Sequence, residues 1–119
     1  MMMTVHSRKE RVEHLLKEEI ALMLLHGEIK DPRVGFVTIT KVRMTKDLKR
    51  ARVFFSMTGT KEEVALSTEG LNSARAFIKR ELARRLALKH IPTVSFEYDD
   101  TLDYADHIEK VIKKIKEED

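Results

Sequence analysis

Residues 71–92 constrain this chain more than any other stretch. They read LNSARAFIKRELARRLALKHIP, with Ile78, Leu82 and Leu86 at i, i+4 and i+8, an apolar row along one side of a helix that Pro92 ends. The remaining faces are cationic, since Arg75, Lys79, Arg80, Arg84, Arg85 and Lys89 stand against the single acid Glu81. A segment that buries one side and carries +5 on the others is either a solvated helix or a helix that meets phosphate. Its surroundings decide between the two.

Upstream, Ser7 and Glu10 form a capping box that opens a first helix. Val12, Leu15, Leu16, Ile20, Met23 and Leu24 fall on one side of it, and Gly27 supplies its stop. Pro32 makes residues 28–33 a connection. Residues 36–44 read as a strand whose apolar parity shifts from Val37 and Ile39 to Val42 and Met44, which predicts a bulge or burial on both sides. Residues 50–57 alternate, with Ala51, Val53, Phe55 and Met57 on one face, and the polar turn 45–49 joins the two strands as a hairpin.

Thr60 and Glu63 form a second capping box, starting a helix through Val64, Leu66 and Leu71 in which Gly70 costs about 1 kcal/mol relative to Ala. The basic helix follows almost without a gap. Val94, Phe96 and Tyr98 then alternate as a third strand, and Ile108, Val111, Ile112 and Ile115 mark a final helical stripe from about Asp103. The order is αββααβ with an extra C-terminal helix, an α+β chain. Three strands cannot hide their apolar face alone, so the helices cover one face of the sheet and leave the other open.

At 119 residues this is one domain, divided into a disordered N-terminus (1–6), a folded unit (7–100) and a helical tail (101–119). The net charge of +3 hides an asymmetry: residues 1–90 carry +8 and residues 91–119 carry −5. A basic body suits an anionic partner, and the acidic tail would resist it. No apolar run approaches the roughly 20 residues that cross a bilayer, and residues 1–6 lack the apolar core of a secretory signal. The expectation is a soluble, cytoplasmic monomer with no membrane partner. One Asn, no Gln and no Cys among 36% charged residues is a thermophile pattern.

No catalytic constellation emerges. His6, His14, His26, His90 and His107 share no metal-ligand spacing, and there is no Cys to complete a site. Asp99, Asp100 and Asp103 occupy a turn and a helix start, where Asp serves capping. No Gly-rich phosphate loop exists, and no Ser has an evident base partner. The expectation is therefore no catalytic residue, no metal, no cofactor and no small-molecule substrate.

The αββααβ order is compatible with a type II KH domain, a fold that clamps nucleic-acid backbone where its two consecutive helices meet. More specifically, the chain resembles the ribosome-binding factor A family. The resemblance rests on the 28–33 connection EIKDPR, the hairpin pattern Val42-x-Met44-x-x-Asp47-Leu48-x-x-Ala51-x-Val53, the helix start Phe77-Ile78-Lys79, and Leu88-Lys89-x-x-Pro92-x-x-x-Phe96-x-x-Asp99. It implies a KH-like fold in which an Ala-x-Gly kink interrupts the paired helices; here that kink reads Ala74-Arg75-Ala76, without the Gly. It also implies a non-catalytic factor that binds the immature small ribosomal subunit and its rRNA, assists maturation near the rRNA 5′ end, and is associated with growth in the cold.

On the residues themselves, Arg75, Lys79, Arg80, Arg84, Arg85 and Lys89 offer phosphate contacts, with Arg8, Arg11, Lys30 and Arg33 as additional ones. Arg33 is equally placed to partner Asp31. At the kink, Ala74 and Arg75 absorb the bend, and the small side chain of Ala76 lets the helices approach. Aromatic residues are few, so backbone and shape recognition is expected over base stacking. Two other readings stay open: a general KH-type RNA binder, and a protein adaptor that uses the C-terminal stripe.

Overall fold

The computed structural model describes residues 7–118, apart from the side chains at 102, 104–106 and 118. Residues 1–6, expected to be disordered, lie outside the described residues. Helix α1 (Arg8–Leu25) starts at Ser7, whose hydroxyl accepts the Glu10 N–H at 3.1 Å. It ends in a Schellman motif. Gly27, at φ +67°, donates to the Leu24 carbonyl at 3.1 Å, and Glu28 donates to Met23 at 2.9 Å.

Strands β1 (Thr38–Met44) and β2 (Arg50–Ser56) form the expected hairpin. The register shifts between Ile39 and Lys41, so Thr40 is an extra residue. That bulge explains the parity change, because it turns both Ile39 and Val42 toward the core. The strand begins two residues later than the sequence suggests, and Phe36 is fully exposed. In the turn, Asp47 accepts from the Thr45 hydroxyl (2.6 Å) and the Lys49 N–H (3.0 Å). Leu48 takes φ +60°, the one positive value at a non-glycine residue among those described, and packs against the core.

β3 (Thr93–Tyr98) pairs parallel to β2, giving the order β1-β2-β3. The crossover between those two strands is α2 (Lys61–Ser73) followed by α3 (Arg75–Arg85). Helices α1, α2 and α3 cover one face of the sheet. Leu16, Ile20 and Met23 of α1, Leu71 of α2, and Ile78 and Leu82 of α3 meet Val42, Val53, Phe55, Val94 and Phe96, all of them buried. Side chains finish both sheet edges. Glu13 is buried against β1 and accepts the Met44 N–H at 2.7 Å. Asn72 treats β3 as a peptide group would, accepting from Phe96 N–H (2.9 Å) and donating to the Phe96 carbonyl (3.1 Å).

Two helices differ from expectation. The buried side of α2 is Ser67, Gly70 and Leu71, while Leu66 stays exposed. Small residues are needed there because the 31–35 connection lies directly on them. A Cβ at Gly70 would meet Val34 Cγ2 at 2.7 Å, and the Ser67 hydroxyl accepts the Gly35 N–H at 3.0 Å. Helix α3 ends at Arg85, well short of Pro92, with Leu86 already extended at φ −113°, ψ 137°. The chain must turn back there to reach β3 beside the hairpin turn, where the Thr93 N–H bonds the Lys49 carbonyl at 2.9 Å. Leu86, Leu88 and Ile91 continue the apolar pattern because they pin this loop against the core, not because the helix continues.

The last helix, α4 (Thr101–Glu118), is tied to β3 at its start. Asp99 accepts from the Thr101 N–H (3.0 Å) and the Thr40 hydroxyl (2.6 Å). Thr101 and then Thr40 hold its carboxyl down at about 2. The Tyr98 hydroxyl donates to Asp103 at 2.6 Å, and that bond pushes the phenol up to about 12. Along α4, Ile108, Val111, Ile112 and Ile115 remain exposed.

Candidate nucleic-acid interface

The break between α2 and α3 is a single residue. Ala74 closes α2 and opens α3 at φ −86°, ψ 3°, and brings no side-chain cap to the second helix. Its N–H reaches the Gly70 and Leu71 carbonyls at 3.2 and 3.1 Å, while its own carbonyl accepts from Ile78 at 2.9 Å. Arg75 folds back and donates from Nε to the Asn72 carbonyl at 3.0 Å, satisfying an α2 carbonyl. The kink assigned to Ala74, Arg75 and Ala76 thus narrows to Ala74. Ala76 lies within α3 and is exposed, so the close helix approach expected at its side chain does not occur. Ala74 is the small residue packed against the core.

Beyond the break, α3 turns Lys79 toward a groove of about 390 Å³. Arg8 from the start of α1, Lys49 from the hairpin turn, and Lys89 and His90 from the loop after α3 complete its rim. Its walls are apolar and include Val12, Met44, Leu48, Leu88 and Ile91. One carboxylate, Asp47, stands among these cations. It is already engaged by Thr45 and the Lys49 amide, and those bonds keep its pKa below the ordinary value. Four permanent cations and a histidine around an apolar trough make a surface that attracts an anionic chain.

Of the ten candidate residues, the fold gathers Arg8, Lys79 and Lys89 here. Lys30 borders a second hollow of about 510 Å³ beside the break, with Asp31, Ser73, Ala74 and Phe77. Arg80 is exposed on α3, and Arg75 is exposed while bonded to Asn72. Arg84 donates to Glu81 at 2.7 Å yet remains 71% exposed. Arg11 lines a different groove, between α1 and the edge of β1.

Two further candidates are held more fully by acids and neighbours within the fold. Arg85 donates to Glu28 and, at 3.0 Å, to Glu81, with Glu19 at 3.9 Å, and only 24% of its side chain is exposed. Arg33 grips Asp31 through both carboxylate oxygens (3.0 and 2.8 Å) and donates to the Ser73 hydroxyl at 2.9 Å, fixing the connection to the end of α2. The Arg33 side chain, and then its backbone N–H, hold the Asp31 carboxyl down at about 2. Lys49 and His90 escape a reading from sequence. Lys49 sits in a turn, and nothing in its local pattern joins it to residue 89; the Thr93–Lys49 backbone bond does that.

Among the described residues, no group of three His, Asp or Glu is placed to hold a metal, and no helix is long and apolar enough to cross a membrane. A three-stranded sheet backed by helices, the last two core helices separated by a one-residue break, makes this a KH-like α+β domain of the αββααβ type. The chain belongs to the ribosome-binding factor A family, whose model matches residues 8–112. It is 43% identical over 108 residues to ribosome-binding factor A of Citrifermentans bemidjiense, covering 91% of this chain and 90% of that protein. The crystal structure of ribosome-binding factor A from Thermus thermophilus matches with a TM-score of 0.64 at 26% identity, covering 77% of this chain and 97% of that one. A homology model of the Thermus thermophilus factor, fitted into a cryo-EM map of its complex with the 30S subunit, matches with a TM-score of 0.62 at 25% identity, covering 75% and 92%.

Proposed function

We propose that this chain is a non-catalytic assembly factor that binds the immature small ribosomal subunit, holding rRNA phosphates along α3 and in the groove rimmed by Arg8, Lys49, Lys79 and Lys89. In that role it assists late maturation of the subunit and processing of the rRNA 5′ end, as a monomer in the cytoplasm. The groove carries the reading: its cations come from four separate segments and converge on one trough. Family membership and the 30S complex of the Thermus thermophilus relative support the same partner. Arg75, Arg80, Arg84 and Lys30 add phosphate contacts along the exposed side of α3 and beside the break. Arg85 and Arg33 serve the fold. The 7–100 unit carries the binding, and the 101–119 tail is separable from it.

Co-sedimentation with immature and mature small subunits at two salt concentrations tests this. The chain should favour immature subunits, with affinity falling steeply as salt rises. Equal, salt-insensitive binding to both would overturn it. The exposed stripe Ile108, Val111, Ile112 and Ile115 favours a second reading, a protein adaptor working through α4. Under that reading, removing residues 103–119 abolishes function while RNA binding persists.

A further inference from the structure

The three strands contain four cations, Lys41, Arg43, Arg50 and Arg52, and one acid, Glu97. The core-facing positions of the sheet are taken by Ile39, Val42, Met44, Ala51, Val53, Phe55, Val94 and Phe96, so the cations fall on the face the helices leave uncovered. The register sets Arg43 directly opposite Arg52, a like-charge cross-strand pair that costs stability on an isolated sheet. Glu97 compensates only one of them, bonding Arg52 at 2.5 and 2.9 Å. Arg43 spends one donor on the Val42 carbonyl (3.0 Å) and is otherwise exposed, as is Arg50. Asp99, a carboxylate in Lys41's field, already accepts from Thr40 and Thr101.

One aromatic ring, Phe54, lies in the middle of this face, and the cations cover it. Lys41 Nζ stands 4.8 Å and Arg52 Cζ 5.0 Å from its centroid. The ring orients the charges and leaves little surface for a base to stack on. The neighbours Thr38, Ser95 and Thr93 are small and hydroxylated. A protein partner would need an apolar centre to desolvate, and this face offers none beyond the covered ring. Hydroxyls and uncompensated guanidinium and ammonium groups spread over a sheet face match a phosphate backbone.

We infer that the uncovered sheet face is a second RNA-backbone site, so that the domain sits between two RNA segments, one in the helical groove and one across the strands. The inference rests on the RNA reading of the groove, and the two can fail separately. Two variants separate them: Lys41→Gln/Arg43→Gln/Arg50→Gln on the sheet, sparing the Arg52–Glu97 pair, and Lys79→Gln/Lys89→Gln in the groove. Each is titrated across a salt series against immature small subunits and against a protein-free RNA duplex of about 20 base pairs. The sheet variant should bind both probes about tenfold more weakly and lose about 2 from its salt slope, at roughly 0.7–0.9 per neutralised phosphate. RNA should also protect Lys41 of the unmodified protein from an amine-reactive reagent, a readout independent of any variant's folding. A weakened groove variant beside an unchanged sheet variant, with Lys41 still reactive, overturns the second site and leaves the first standing. If neither variant weakens, the RNA reading falls and takes this site with it. A sheet variant impaired on subunits yet normal on the duplex assigns the face to an acidic protein instead, and the RNA assignment is wrong.

Discussion

Lys79 and Arg85 share one helix of eleven residues and contribute equally to its charge, yet the fold uses them in opposite ways. Arg85 points back into the body, where Glu81, Glu28 and Glu19 surround its guanidinium. Lys79 looks onto the groove with Arg8, Lys49 and Lys89. The same contrast separates Arg33, locked to Asp31 and Ser73, from Lys30 at the edge of the neighbouring hollow. A cation's availability is therefore decided by which carboxylates the topology delivers to it. For Arg85 the decisive one, Glu28, lies 57 residues away in the chain.

Five perturbations test this division, from the largest expected effect down. Gly70→Val attacks the seat on which the Arg33 connection rests, because its Cβ would approach Val34 Cγ2 at 2.7 Å and Arg33 Cβ at 3.2 Å. It should cost about 1–3 kcal/mol in chemical denaturation. Wild-type stability would show that the connection does not depend on that close approach. Arg85→Leu comes next: it leaves Glu28 without its arginine and Glu81 with Arg84 alone, so the melting temperature should drop while the salt slope of subunit binding stays put. A changed slope at constant melting temperature would move Arg85 to the binding side.

Lys79→Gln with Lys89→Gln should do the reverse, leaving melting unaltered and lowering the salt slope by about 1 for each phosphate that is no longer neutralised. Acid supplies a smaller effect. The Asp31 carboxyl, at about 2 in the fold, lies below its ordinary value of 3.8. The unfolded chain therefore takes up the proton first, and the Asp31–Arg33 contribution, complete above about pH 4, fades as pH falls toward 2. The stability gap between wild type and Asp31→Asn, followed from pH 5 downward, should narrow across that window; a constant gap would mean that ionisation of Asp31 contributes nothing. Smallest of all, Ala76→Leu should fall within about 0.5 kcal/mol of wild type, since the side chain is exposed. A larger drop would restore the close helix approach at that position.

Much of the architecture was legible because it follows from local periods. The caps at Ser7 and Thr60, the stop at Gly27 and the parity change around Thr40 each announce an element boundary within a few residues. The end of α3 was not legible, because Leu86 and Leu88 keep an apolar pattern for a loop that packs on the core. Gly70 looked like a weak helix position, when its missing side chain is what admits the 31–35 connection. The candidate site was visible as a sum of charge and hidden as a partition of it. No local pattern joins Lys49 to Lys89, or Arg85 to Glu28; tertiary structure makes both associations.

The middle strand has one partner close in sequence and one far away. β1 joins β2 across the short turn 45–49, whereas Arg50 pairs with Thr93 and the whole crossover must intervene. During synthesis the hairpin can therefore close while the second edge of β2 still waits for its neighbour. For that interval Val53 and Phe55 lack the cover of Phe96, and a row of main-chain donors and acceptors is free to capture another nascent chain. Arg50 and Arg52, on the opposite face of the same strand, place like charge along this edge and disfavour pairing between copies until the parallel strand arrives. The vulnerable stage of this protein's life thus ends with the emergence of residues 93–98, and a ribosome pausing before them would lengthen it.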